Sequence, residues 1–143
     1  MGESPVKLVR RRIVLNSALI NIIAIAVGAA IGANLRYGLS LWAAQRWGAS
    51  FPYGTLIVNV VGSFLIGLVL TLATTRLSLS DPVRLLIVTG LLGGFTTFSS
   101  LSFEAYSLIM SGSWRAAGIY LASSFGLGMA SVFLGVGVAR LLP

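Results

Sequence analysis

The residues of this chain able to act on another molecule are hydrogen-bond donors rather than acids, bases or nucleophiles. Histidine and cysteine are absent, and the acids number three, Glu3, Asp81 and Glu104. Asp81, followed by Pro82, fits a helix N-cap and first-turn proline. That leaves no metal-ligand cluster, no carboxylate pair and no nucleophile beside a base, so the chain is read as not an enzyme. The run Gly93-Gly94 lacks the lysine of a phosphate loop. Donors gather instead just after it, where Thr96, Thr97, Ser99, Ser100 and Ser102 place five hydroxyls in seven positions. Thr55, Asn59 and Ser63 follow at i, i+4 and i+8, one face of a helix with about 6 Å between steps. Tyr120, Ser123, Ser124 and Ser131 add further hydroxyls, less closely aligned. Cation paths use carboxylates or carbonyls. Amides, hydroxyls and arginines with few acids suit an anion, and the positive ring edges of Phe98 and Phe95 suit a small one. The competing reading is ordinary interhelical hydrogen bonding, worth only about 0.6 kcal/mol per pair in membranes.

The elements that must position these donors are membrane spans. Of 143 residues, 57% are hydrophobic and only 9% charged, against about 25% charged in a soluble domain. Uncharged stretches run from Ile13 to Leu35, Trp47 to Thr75, Leu85 to Phe103 and Ala116 to Ala139. Each exceeds the roughly 18 residues that mark a transmembrane helix. An all-α membrane protein with four transmembrane helices follows, divided as a basic N-terminal extension at 1–12 and a single four-span domain at 13–143. The first span is not read as a signal peptide, because three more spans follow it. Two adjacent glycines each weaken a helix by roughly 1 kcal/mol relative to alanine. Freed backbone at membrane depth is tolerated only in a protein interior or against a wet cavity. The third span is therefore predicted to be a broken helix, interrupted at Gly93-Gly94.

Small residues recur at helical spacing, as Gly28 and Gly32, Ser63 and Gly67, Ser124 and Gly128, and Ser131 and Gly135. Such pairs let helices approach closely in lipid. A four-helix bundle fills its own core, so transport requires an oligomer. The net charge is +7. With alternating spans, Lys7, Arg10, Arg11, Arg12, Arg76, Arg84 and Arg140 share one side, while Arg46 and Arg115 lie on the other. The positive-inside rule places both termini in the cytoplasm. The basic terminus reads as a topology signal or lipid contact, not a nucleic-acid site, since no such motif accompanies it. Arg36, near the end of the first span, is either a functional intramembrane charge or one that snorkels to the interface. Glu104 is a gate, a partner for an arginine, or an interfacial residue.

Three motifs then converge. Gly32-Ala33-Asn34-Leu35-Arg36-Tyr37, Gly54-Thr55-Leu56-Ile57-Val58-Asn59 and Gly90-Leu91-Leu92-Gly93-Gly94-Phe95-Thr96-Thr97-Phe98-Ser99 resemble the CrcB/Fluc fluoride channel family, in family order, from about Asn16 onward. The resemblance implies a passive fluoride channel of the cell membrane, multi-pass, assembled as an antiparallel dual-topology homodimer with two pores. It implies a structural Na+ at the dimer centre, held by backbone carbonyls of Gly93 and Thr96. It assigns the fluoride pore to Asn59, Thr55, Phe98, Ser99, Ser100 and Ser123, with Ser124 one residue away in register. It gives Arg36 to the vestibule and Glu104 to gating. Leu101 departs from the family at a second pore phenylalanine. The charge bias is also large for a subunit inserting both ways, so the basic terminus is weakly read or the partner is an oppositely biased homologue. Two rival classes remain: a small drug/proton antiporter, which needs an acid that Ile13 to Leu35 lacks, and a non-transporting membrane assembly protein.

Overall fold

The computed structural model describes the backbone of residues 5–142 and the side chains of 14–142. Glu3, and the side chains of Lys7, Arg10, Arg11 and Arg12, lie outside the described residues. Every described element is helical: α1 (Pro5–Trp47), α2 (Tyr53–Thr75), α3 (Asp81–Arg84), a π-helical segment (Leu85–Leu92), α4 (Gly93–Phe95), α5 (Phe98–Met110) and α6 (Trp114–Leu141). Four spans are long and apolar enough to cross a membrane, with α3 through α5 forming the third, Asp81–Met110.

The first helix exceeds its uncharged stretch. It passes Arg36 without a break and ends only at Gly48, where φ is +81°. A single charge does not stop a helix, because arginine is a good helix former; glycine in the left-handed region does. The part from Val14 to Trp47 holds 34 residues, roughly 51 Å at 1.5 Å per residue.

Close packing holds the bundle together. A Cβ at Gly28 or Gly32 would collide with the main chain of the π-helical segment. In return, one at Gly90 would stand 2.7 Å from Ile25 O, and one at Gly94 2.7 Å from Ala29 O. The same device joins α2 to α6, where a Cβ at Gly67 would meet Val132 O at 2.5 Å and one at Gly135 would strike Phe64 O. With lipid as apolar as leucine, such backbone approach is what favours helix on helix over helix on lipid. At the other end of the bundle a small core forms from Leu101, Ala105, Leu108, Ala117 and Tyr120, with Phe51 edge-on to Tyr120 at 5.5 Å.

The third span is broken at Thr96–Thr97, three residues later than its glycine pair suggests. Ser80, extended at φ −63° and ψ 152°, holds the cap position. Asp81 is thus the first helical residue rather than the cap, with Pro82 in the first turn, where no intrahelical donor is lost. The segment widens into π winding, and Gly93 N–H reaches back to Val88 O. Gly93 itself is helical, with φ −66° and ψ −37°. Extension begins at Thr96, with φ −81° and ψ 159°, and continues through Thr97, with φ −153° and ψ 120°. β-branched residues favour this region. The glycine pair supplies close approach, through Gly94 on Ala29, while the threonines make the break.

Candidate ion path at the helix break

A helix broken inside an apolar bundle must find partners for the backbone groups it frees. Asn59, on α2, supplies two of them. Its Oδ1 accepts from Thr97 N–H at 2.8 Å and its Nδ2 donates to Thr97 O at 3.0 Å. Thr97 then caps α5: its Oγ1 accepts from Ser100 N–H at 3.2 Å and donates to Ser100 Oγ at 3.1 Å. Gly62, one turn beyond Asn59, leaves room for Thr96, whose Cγ2 occupies the space a Cβ would need. α2 therefore holds both residues of the break.

Beside the break lies a cavity of about 350 Å³. Asn59, Ser63, Gly93, Thr96, Thr97, Phe98, Leu101, Ser124 and Phe125 are among the residues lining it, and the lining contains no carboxylate. An asparagine amide carries two N–H groups, so one remains for an occupant after the bond to Thr97. Ser124 Oγ is buried and has no hydrogen-bond partner among the described residues, a costly arrangement unless something polar binds there. The N-terminus of α5, positive by its dipole, opens at Phe98 on the same cavity. The arrangement offers hydrogen-bond donors and a partial positive charge in a mostly apolar space. It favours a small anion stripped of water.

The expected pore residues divide into two groups. Asn59 and Phe98 meet at this cavity. Ser99 and Ser100 instead belong to the hydroxyl knot around Thr97, with Ser99 Oγ 3.3 Å from Thr97 Oγ1. Ser123 Oγ turns back on its own helix, donating to Ile119 O at 2.7 Å, so Ser124 is the serine of α6 that faces the cavity. Thr55 lies one turn before Asn59, near the start of α2, buried, donating to Glu104 Oε1 at 2.8 Å; Tyr120 donates its phenol to the other carboxylate oxygen. Glu104 thus sits in a neutral hydroxyl cradle and lines two smaller cavities, about 210 and 300 Å³, that also touch the loop at 48–52. Arg36 is half-buried along α1, lines none of the three cavities, and has no ion pair among the described residues. Tyr120 as the partner of Glu104, and Gly62 as the seat for Thr96, were not legible beforehand. The spacing of Tyr120 and Ser124, one helical turn, was the available signal for the facing serine.

The first three spans carry the motifs, and the comparison with known proteins agrees with them. A family described as CrcB-like protein, Camphor Resistance (CrcB), matches residues 23–136. This chain belongs to the CrcB family. Among its relatives is a protein of Roseiflexus sp. (strain RS-1), named fluoride-specific ion channel FluC, 84% identical over 123 residues, which are 86% of this chain and 99% of the relative. Proteins of the same name from Chloroflexus aurantiacus (strain ATCC 29366 / DSM 635 / J-10-fl) and Rhizobium etli (strain ATCC 51251 / DSM 11541 / JCM 21823 / NBRC 15573 / CFN 42) are 60% and 50% identical, over 84% and 87% of this chain and 95% and 99% of theirs. With its four spans, this CrcB chain is a multi-pass membrane protein.

The cation expected at the break is testable against the residues present. Among the described residues no group of His, Cys, Asp and Glu could hold a metal. Because Thr97 N–H turns to Asn59, Gly93 O loses the donor it would have in a continuous helix. Gly93 is exposed, with only Val88 O near the position of a Cβ. A main-chain oxygen without its helical donor is a hard ligand of the kind alkali cations take.

Proposed function

We propose that this chain is the subunit of a fluoride-selective passive channel of the plasma membrane. The observation that carries the reading is the cavity at Thr96–Thr97, where the spare amide hydrogen of Asn59 and the unpartnered Ser124 Oγ meet without a carboxylate. The relatives named as fluoride-specific channels support the same ion. Fluoride is small and tightly hydrated, so a path must replace its water with short hydrogen bonds. Larger halides would be under-coordinated between the same donors. No acid stands on the first span to couple a proton, which weighs against an antiporter.

The finer reading is an antiparallel dual-topology homodimer with two pores. Gly93 and Phe98 are exposed beside the break, as a surface meant for a second copy would be. Carbonyls of Gly93 and Thr96 from two subunits would hold a Na+, whose charge offsets the cost of anions nearby. In this reading Asn59 and Ser124 donate to fluoride, Phe98 offers a ring edge, Thr97 with Ser99 and Ser100 maintains the turn, and Thr55, Tyr120 and Glu104 form the mouth. Fluoride efflux from proteoliposomes, with chloride as control, tests the function. Equal release of both ions, or a need for a proton gradient, would sink it.

A further inference from the structure

We propose that Phe125, on α6, is a selectivity-determining wall of the ion path, a role that rests on the fluoride reading above. Two phenylalanines line the main cavity, Phe98 from α5 and Phe125 from α6. Leu101, buried between the spans, lines it too but has no ring edge to offer. Phe125 directly follows Ser124, whose hydroxyl is the orphaned donor of the site. Both residues line the same cavity, so an ion in it meets the ring as well as the serine. A phenyl ring does two things there. Its positive edge can approach an anion that a leucine methyl cannot stabilise. Its bulk also excludes the water a larger, hydrated halide would keep. An ordinary lipid-facing phenylalanine on the same helix is Phe133, 70% exposed and absent from the cavity lining.

The test uses the full chain in liposomes. Phe125→Leu keeps apolar volume at a site that is 61% exposed, so folding is expected to survive; Phe125→Met, also without a ring, carries the same expectation. Each should lower the fluoride-to-chloride flux ratio by about tenfold, the scale of one lost ring-edge contact. Phe125→Tyr, which keeps the ring, should stay near wild type, as should Phe133→Leu. A merely structural role would lower total flux without moving the ratio. The proposal is overturned if the ringless variants keep the wild-type ratio, or if Phe133→Leu shifts it equally. Wild-type vesicles that retain their fluoride would overturn the channel reading as well, which separates the two failures.

Discussion

Asn59 grips the backbone of Thr97 from both sides, accepting from its N–H at 2.8 Å and donating to its C=O at 3.0 Å. One side chain on α2 thereby satisfies both backbone groups of Thr97 that the break frees, and it still holds an N–H for the cavity. In the proposed channel, the geometry of the break and the first donor on the ion path are the same residue. The arrangement predicts that the two cannot be removed separately.

Asn59→Ala should lose most fluoride flux and also destabilise the fold by about 1–3 kcal/mol, the cost of leaving buried backbone groups unpaired. Faster hydrogen exchange at the Thr97 amide, measured beside flux, would show the second effect. Wild-type exchange with lost flux would mean that Asn59 acts on the ion alone.

The two serines of α6 should behave oppositely. Ser124→Ala removes the hydroxyl that faces the cavity and should lower fluoride flux several-fold. Ser123→Ala removes only a bond to its own helix, worth about 1 kcal/mol or less, and should conduct normally. The reverse pattern in an efflux assay would restore Ser123 to the path.

At the mouth, Glu104→Ala would strand the hydroxyls of Thr55 and Tyr120, both in buried residues. A loss of about 1–3 kcal/mol in unfolding stability is expected, larger than for Glu104→Gln, which still accepts one of the two bonds. Equal stability of both variants in denaturant titrations would show that the cradle contributes little.

Gly94→Ala should impair assembly, since its Cβ would stand 2.7 Å from Ala29 O across the α1 crossing. Gly118→Ala, where nothing lies within 4 Å, should be neutral or slightly stabilising through helix propensity, by about 1 kcal/mol at most. Yield of monodisperse protein in detergent distinguishes them.

If carbonyls of Gly93 and Thr96 hold a sodium ion, exchanging Na+ for a large organic cation should lower thermal stability of the assembled protein. A melting temperature independent of the cation would count against that site.

Much of this protein is written in its composition. Four apolar stretches with charges between them require helices across lipid, because only there is every backbone group satisfied within its own segment. Gly28, Gly32, Gly67 and Gly135 mark the crossings, since nothing larger admits the approach. That Asn59 and Phe98 come together at one place was also legible, from an amide in an apolar run and an aromatic ring in a hydroxyl cluster, and both line the cavity at the break. Three things were not. The break falls at Thr96–Thr97 rather than Gly93-Gly94, because glycine's weakness in a helix says where a break is cheap, whereas the partner on α2 decides where it is satisfied. Ser124 rather than Ser123 faces the cavity, because one residue turns a helix by about 100° and only packing fixes its rotation. Thr55 donates to Glu104 rather than to the cavity, since α5 carries that carboxylate alongside it. Local pattern determines which elements form and which residue types they carry. Contacts between residues 38 to 49 positions apart, Asn59 with Thr97 and Thr55 with Glu104, decide where each donor points.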